Sequence, residues 1–166
     1  MRDTLLYLRQ MRADGIIAKY AVGGAMAATF YIEPVSTFDL DIFVMLPQAD
    51  DGGLLSLAPL YAHLRAAGFK EDKECVVIHG LPVQFIPAFN PLTVEALDNA
   101  AAMDYDGVEV PVFTAEHLAA IAVQTGRGKD RARVHAFIES GLLNPAKCAD
   151  ILKRHGLQEK WKFWTS

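Results

Sequence analysis

Two aspartates stand one residue apart in an otherwise apolar run, Phe38-Asp39-Leu40-Asp41-Ile42-Phe43-Val44-Met45-Leu46. In an extended strand a period of two puts both carboxylates on one face and Leu40, Ile42 and Val44 on the other. Like charges so placed resist burial unless a cation compensates them. Mg²⁺ suits that role, because it takes carboxylate oxygens together with substrate phosphates. The plain alternative is a half-exposed strand whose polar face meets water. Upstream lies Gly23-Gly24, preceded by apolar residues and followed by alanines. A glycine pair lets backbone approach a phosphate unobstructed, and the N-terminus of a following helix offers unpaired N–H groups. A tight turn and nothing more is the competing explanation.

These residues need a strand, turn and helix to position them, and the surrounding pattern supplies candidates. Leu5, Leu6, Leu8 and Met11 recur at spacings near a helical repeat, with Asp3 or Thr4 available as cap and Gly15 as terminator. Ile16 to Val22 reads as a strand leading into the glycine pair, and AMAATFYI as a short buried helix. Phe38 to Leu46 is the aspartate strand. Leu54 to Ala67 reads as an amphipathic helix, with Pro59 tolerable only near a first turn or as a kink. Cys75 to Ile78 and Leu81 to Ile86 flank His79-Gly80, and Met103 to Phe113 contains Asp106-Gly107, which predicts two hairpins. Thr93 to Asn99 suits a helix. From Thr114 onward the pattern is helical: Thr114 caps AEHLAAIAVQ, Lys129 to Ser140 ends at Gly141, and Asn144-Pro145 opens a helix reaching His155-Gly156.

Joined, the two motifs resemble those of the nucleotidyltransferase superfamily: hydrophobic-Gly-Gly, a short helix, then Asp-hydrophobic-Asp on a strand. The matching residues are Val22-Gly23-Gly24-Ala25 and Thr37-Phe38-Asp39-Leu40-Asp41-Ile42. Thr114-Ala115-Glu116-His117-Leu118 and Gly126-Arg127-Gly128-Lys129-Asp130 are similar to its bacterial minimal and toxin-like branch. The resemblance implies an α/β (α+β) fold, a mixed sheet flanked by helices, over residues 1–166, helical from about residue 114. It implies an NTP such as ATP held by Gly23, Gly24, Thr37, Arg127 and Lys129, with Mg²⁺ on the catalytic pair Asp39 and Asp41. A nucleoside monophosphate would pass to an acceptor hydroxyl with release of pyrophosphate.

Departures from the pattern point the other way. Gln84, in Val83-Gln84-Phe85-Ile86-Pro87, stands where the family places a third acid. An amide oxygen can ligate a metal but brings no charge and takes no proton. Val35 and Ala122 replace basic residues, so Arg127, Lys129 or Arg131 would have to neutralise phosphate. Glu71, Asp72 and Glu74 are candidates for a substitute acid, or simply surface charge. Two readings therefore stay open: an Mg²⁺-dependent transferase, and a degenerate member that binds a nucleotide or a protein, conceivable as half of a toxin–antitoxin pair.

Composition narrows the classes further. One domain of ordinary core size suits 166 residues with 52% hydrophobic content. The net charge of −4 gives no global field for nucleic acid, so a polynucleotide partner would need a local patch. Cys75 and Cys148 lie far apart, which reads as two buried thiols in a reducing cytoplasm. The N-terminal stretch has neither a signal-peptide core nor a membrane span. His63, His79, His117, His135 and His155 are scattered, with no i,i+4 ligand pair; His117 reads as a packing residue. Trp161 and Trp164 read as seals for a C-terminal helix. Sequence leaves the acceptor and the oligomeric state open.

Overall fold

The aspartate run forms a central strand because its alternate residues are apolar on a pleated surface. The computed structural model describes residues 1–33, 36–47 and 56–166. Its strands are β1 (Lys19–Val22), β2 (Leu40–Met45), β3 (Lys70–Asp72), β4 (Cys75–Ile78), β5 (Leu81–Pro87), β6 (Ala101–Tyr105) and β7 (Val108–Val112). They make one mixed sheet in the order β3-β4-β5-β2-β1-β7-β6. β2 pairs antiparallel with β1 and parallel with β5, which puts Asp41 opposite Gln84. β1 pairs in parallel with β7 through Val22 and Val112.

The two dipeptide turns form as expected. His79 and Gly80 have φ of 49° and 80°, and Asp106 and Gly107 have 50° and 76°. Positive φ at both central residues matches the twist of the flanking strands, so β4-β5 and β6-β7 are tight hairpins.

The helices are α1 (Arg2–Ala13), α2 (Gly24–Ala28), α3 (Ala58–Ala66), α4 (Pro91–Asp98), α5 (Ala115–Thr125), α6 (Gly128–Ser140), α7 (Pro145–Arg154) and α8 (Gln158–Thr165). Every element after β7 is helical. α1 buries Leu5, Leu8 and Met11 on the core. Neither expected cap operates there: Met1 occupies the cap position, Asp3 lies in the first turn, and the buried Thr4 hydroxyl donates to the Ile78 carbonyl at 3.0 Å. Pro59 sits in the first turn of α3, where its missing N–H costs nothing; residues 54 and 55 of the expected helix lie outside the described residues. α2 is shorter than the expected helix. Beyond it Thr29, Phe30 and Tyr31 donate to carbonyls three residues back, a tighter winding that suits their branched and aromatic side chains.

Two apolar clusters share a border. One is built on the sheet, α1 and the inner face of α5; the other lies among α5, α6, α7 and α8, and Ile121, Leu143 and Trp161 pack against both. Polar contacts reinforce the junction. Glu95 of α4 accepts from His117 of α5 at 3.1 Å and from His155 at 2.7 Å, and it pairs with Arg154 of α7. With Nε2 of His117 donating to Glu95, Nδ1 accepts from the Thr114 hydroxyl at 2.8 Å, so the cap residue and the imidazole fix one another. These bonds hold the Glu95 carboxyl well below its ordinary value, at about 2, with the Arg154 bond the main cause.

Candidate active site

Gly23 and Gly24 are glycines for different reasons. Gly23 has ordinary extended geometry, but a Cβ there would overlap the Phe43 ring and lie 3.3 Å from Phe113. Gly24 has φ of 62°, and its Cβ would strike the Asp41 carboxylate, 2.8 Å from Cγ. The Asp41 side chain thus fills the space a β-carbon would take. The Gly23 amide donates to the Asp41 carbonyl at 2.9 Å, so it belongs to the sheet. The amides open to an anion are those that start α2, at Gly24, Ala25 and Met26. The sequence motif therefore brings the turn and the second aspartate into direct contact.

Asp39 lies in the bend just before β2 rather than inside the strand. The Thr37 hydroxyl donates toward its carbonyl and its carboxylate, each at 3.4 Å. Thr37 is thus engaged with Asp39. Burial first, and the neighbouring Asp39 charge second, push Asp41 up to about 6; Arg127, Arg133 and Lys129 pull the other way. Two carboxylates so disposed accept a cation readily.

The donor set fits a hard divalent ion. Asp39 and Asp41 supply charged oxygens, Gln84 stands beside Asp41 in register, and substrate phosphates could complete the shell, as is usual for Mg²⁺. Among the described residues no group of three or more His, Cys, Asp or Glu side chains converges, so the protein offers a partial shell rather than a cage. The Gln84 amide nitrogen donates to Glu74 at 3.4 Å, which places one of the acids ahead of β4 next to Gln84. Cys75 is only half-buried. Its thiol is pushed up by burial and then by Asp39, Asp41, Glu74 and Asp72, so it borders the acidic face. Cys148 is buried, and burial raises it to about 11.

The basic residues divide. Arg127 caps α6 and grips Asp130 through Nε at 2.7 Å and Nη2 at 3.1 Å, while the Asp130 carboxylate accepts the Arg127 backbone N–H at 3.2 Å. Lys129 is exposed in the first turn. Arg131 turns away from the aspartates, donating to the Trp164 carbonyl at 3.4 Å and lying 5.8 Å over Phe163. Arg133, not singled out from sequence, takes its place as a charge acting on Asp41. The available signal was its spacing of four from Phe137, which puts both on one helix face. Ala122 is buried in α5, and Val35 lies outside the described residues. His117 is buried and bonded, as a packing residue should be.

No family model and no curated protein matches this sequence. Solved structures do. The solution structure of the antibiotic-resistance factor ANT(2'')-Ia superposes with a TM-score of 0.53 at 15% identity, covering 97% of this chain and 93% of that one. The crystal structure of ANT(2'')-Ia in complex with adenylyl-2''-tobramycin gives 0.54 at 15% identity, over 96% and 98%. An antigenic nucleotidyltransferase-like protein from Paracoccidioides brasiliensis gives 0.59 at 14% identity, over 96% and 90%. At these identities the likeness establishes the fold, and the fold is that of the nucleotidyltransferases.

Proposed function

We propose that this chain is a magnesium-dependent nucleotidyltransferase that moves a nucleoside monophosphate from an NTP such as ATP to an acceptor hydroxyl. The observation that carries the reading is the packing of the Asp41 carboxylate into the vacant β-carbon position of Gly24, with Asp39 beside it. Asp39 and Asp41 would hold Mg²⁺, which when bound neutralises charge on the phosphates and the leaving pyrophosphate. Amides at the start of α2 would orient phosphate oxygens. Arg127 and Lys129 would add positive charge from α6. In the reaction the acceptor oxygen bonds to the α-phosphorus, the bond to the pyrophosphate oxygen breaks, and the hydroxyl proton leaves to water, since the Gln84 amide cannot take it. Residues 1–166 act as one unit in this reading, supported by the border residues shared between the two clusters.

A second reading rests on Gln84. Without the third charge the site could bind a nucleotide or a protein and catalyse nothing. Incubation with labelled NTPs and candidate hydroxyl acceptors separates the two: label transfer that disappears in Asp41→Ala requires a transferase. For the transferase reading, the double variant Asp39→Asn, Asp41→Asn should lose Mg²⁺-dependent ATP binding while remaining folded. Unchanged binding in a calorimetric titration would remove the metal site at Asp39 and Asp41 and the transferase reading with it.

A further inference from the structure

α6 carries a second arginine whose bonding is incomplete. The Arg133 side chain is 12% exposed and, among the described residues, touches the buried Asp130 carboxylate only through Nη1, at a long 3.5 Å. Its Nε is sealed from solvent without any partner, and among the described residues Nη2 makes no hydrogen bond. Buried donors on a charged group are rarely left this way, because losing water without gaining an acceptor is costly. Among the described residues no ion pair joins Arg133 to Asp41, so the aspartate pair does not consume the guanidinium.

Packing fixes where this guanidinium sits. Phe137, four residues on and on the same face, is fully buried, with its ring 6.4 Å from that of Tyr31. Tyr31 follows α2 and donates to the Phe113 carbonyl at 2.9 Å, and the Phe113 ring lies against Gly23. The face of α6 that bears Arg133 is therefore tied to the glycine turn, whereas Arg131 is tied to α8. A planar fork with unused donors, on the helix face tied to the turn that Asp41 fills, suits a ligand with several anionic oxygens.

We propose that Arg133 is a polyphosphate ligand of this site, held by Asp130 and contributing the phosphate-neutralising charge that Arg131 does not. The inference rests on the nucleotide-binding reading and deepens it. Titration calorimetry with inorganic tripolyphosphate and with Mg²⁺-ATP would compare the unaltered protein, Arg133→Gln and Arg133→Lys. Arg133→Gln should weaken tripolyphosphate binding by about 10-fold to 100-fold, the worth of a charge-assisted hydrogen bond. Arg133→Lys should recover part of it. Should the variants fold poorly in a thermal melt, phenylglyoxal labelling of the unaltered protein decides, with peptide mass spectrometry as readout. Tripolyphosphate should protect Arg133; labelling that is unprotected, or absent altogether, overturns the proposal. If Mg²⁺-ATP binds in a manner dependent on Asp39 and Asp41 while Arg133→Gln binds tripolyphosphate normally, the inference alone falls. If the unaltered protein binds neither probe, the underlying reading falls with it.

Discussion

Replacing Asp41 by Asn should make the metal-free protein more stable at neutral pH and at the same time useless for binding Mg²⁺-nucleotide. Asp41 rises from an ordinary 3.8 to about 6 in the folded state, through burial and the Asp39 charge. Between those values the folded chain holds a proton that the unfolded chain has released. Stability therefore falls as pH rises through this window, and the loss is complete above about 6. The rise from 3.8 to about 6 corresponds to about 3 kcal/mol, an upper figure because the group retains some solvent contact. Asparagine mimics the protonated acid and carries no such dependence. For a chain of this size, that difference is worth about 6 to 12 °C in melting temperature. Calorimetric melts from pH 4 to pH 8 without divalent ions should show the two proteins converging near pH 4 and Asp41→Asn pulling ahead up to about pH 6. Adding Mg²⁺ and ATP should then raise the melting temperature of the unaltered protein only. Parallel curves across the whole range, or a variant that melts lower at pH 7, would refute the argument that this carboxylate is electrostatically strained.

Gly24→Ala combines a left-handed φ with a collision at Asp41, so it should lower stability by about 1–2 kcal/mol for the backbone alone and abolish nucleotide binding. Denaturant melts and an ATP titration check both halves. Gln84→Asp restores a charge beside Asp41 in register. It should tighten Mg²⁺ binding in the presence of ATP by about 10-fold and raise any label transfer by at least as much; a titration showing no gain would mean that the amide position does not face the ion.

Where function and packing ask for the same residue, sequence was easy to read. His79-Gly80 and Asp106-Gly107 mark their hairpins because backbone twist demands left-handed residues there, whatever the protein does. The Asp-x-Asp run and the glycine pair were likewise visible, but not that one exists to leave room for the other: Gly24 is required by Asp41, and Gly23 by Phe43. β3 escaped notice because Lys70-Glu71-Asp72 is wholly exposed and has no apolar period, as befits a charged sheet edge. The choice between Arg131 and Arg133 was legible only halfway, since the spacing of four groups Arg133 with Phe137 but does not say what that face meets. Both lie in the same helix, and only the position of Phe137 against Tyr31, a long-range contact, decides which one faces the turn.

The carboxylate of Glu95 binds two imidazoles and a guanidinium drawn from α5, His155 and α7. That knot sits at the root of α5, and the far end of α5 delivers the chain to Gly126 and then Arg127. The helix works as a strut with one foot clamped. Cutting the chain ahead of α7 would leave that foot tied through His117 alone, so a shortened protein should hold its basic residues less firmly in line with the acidic strand even though every residue of the strand remained.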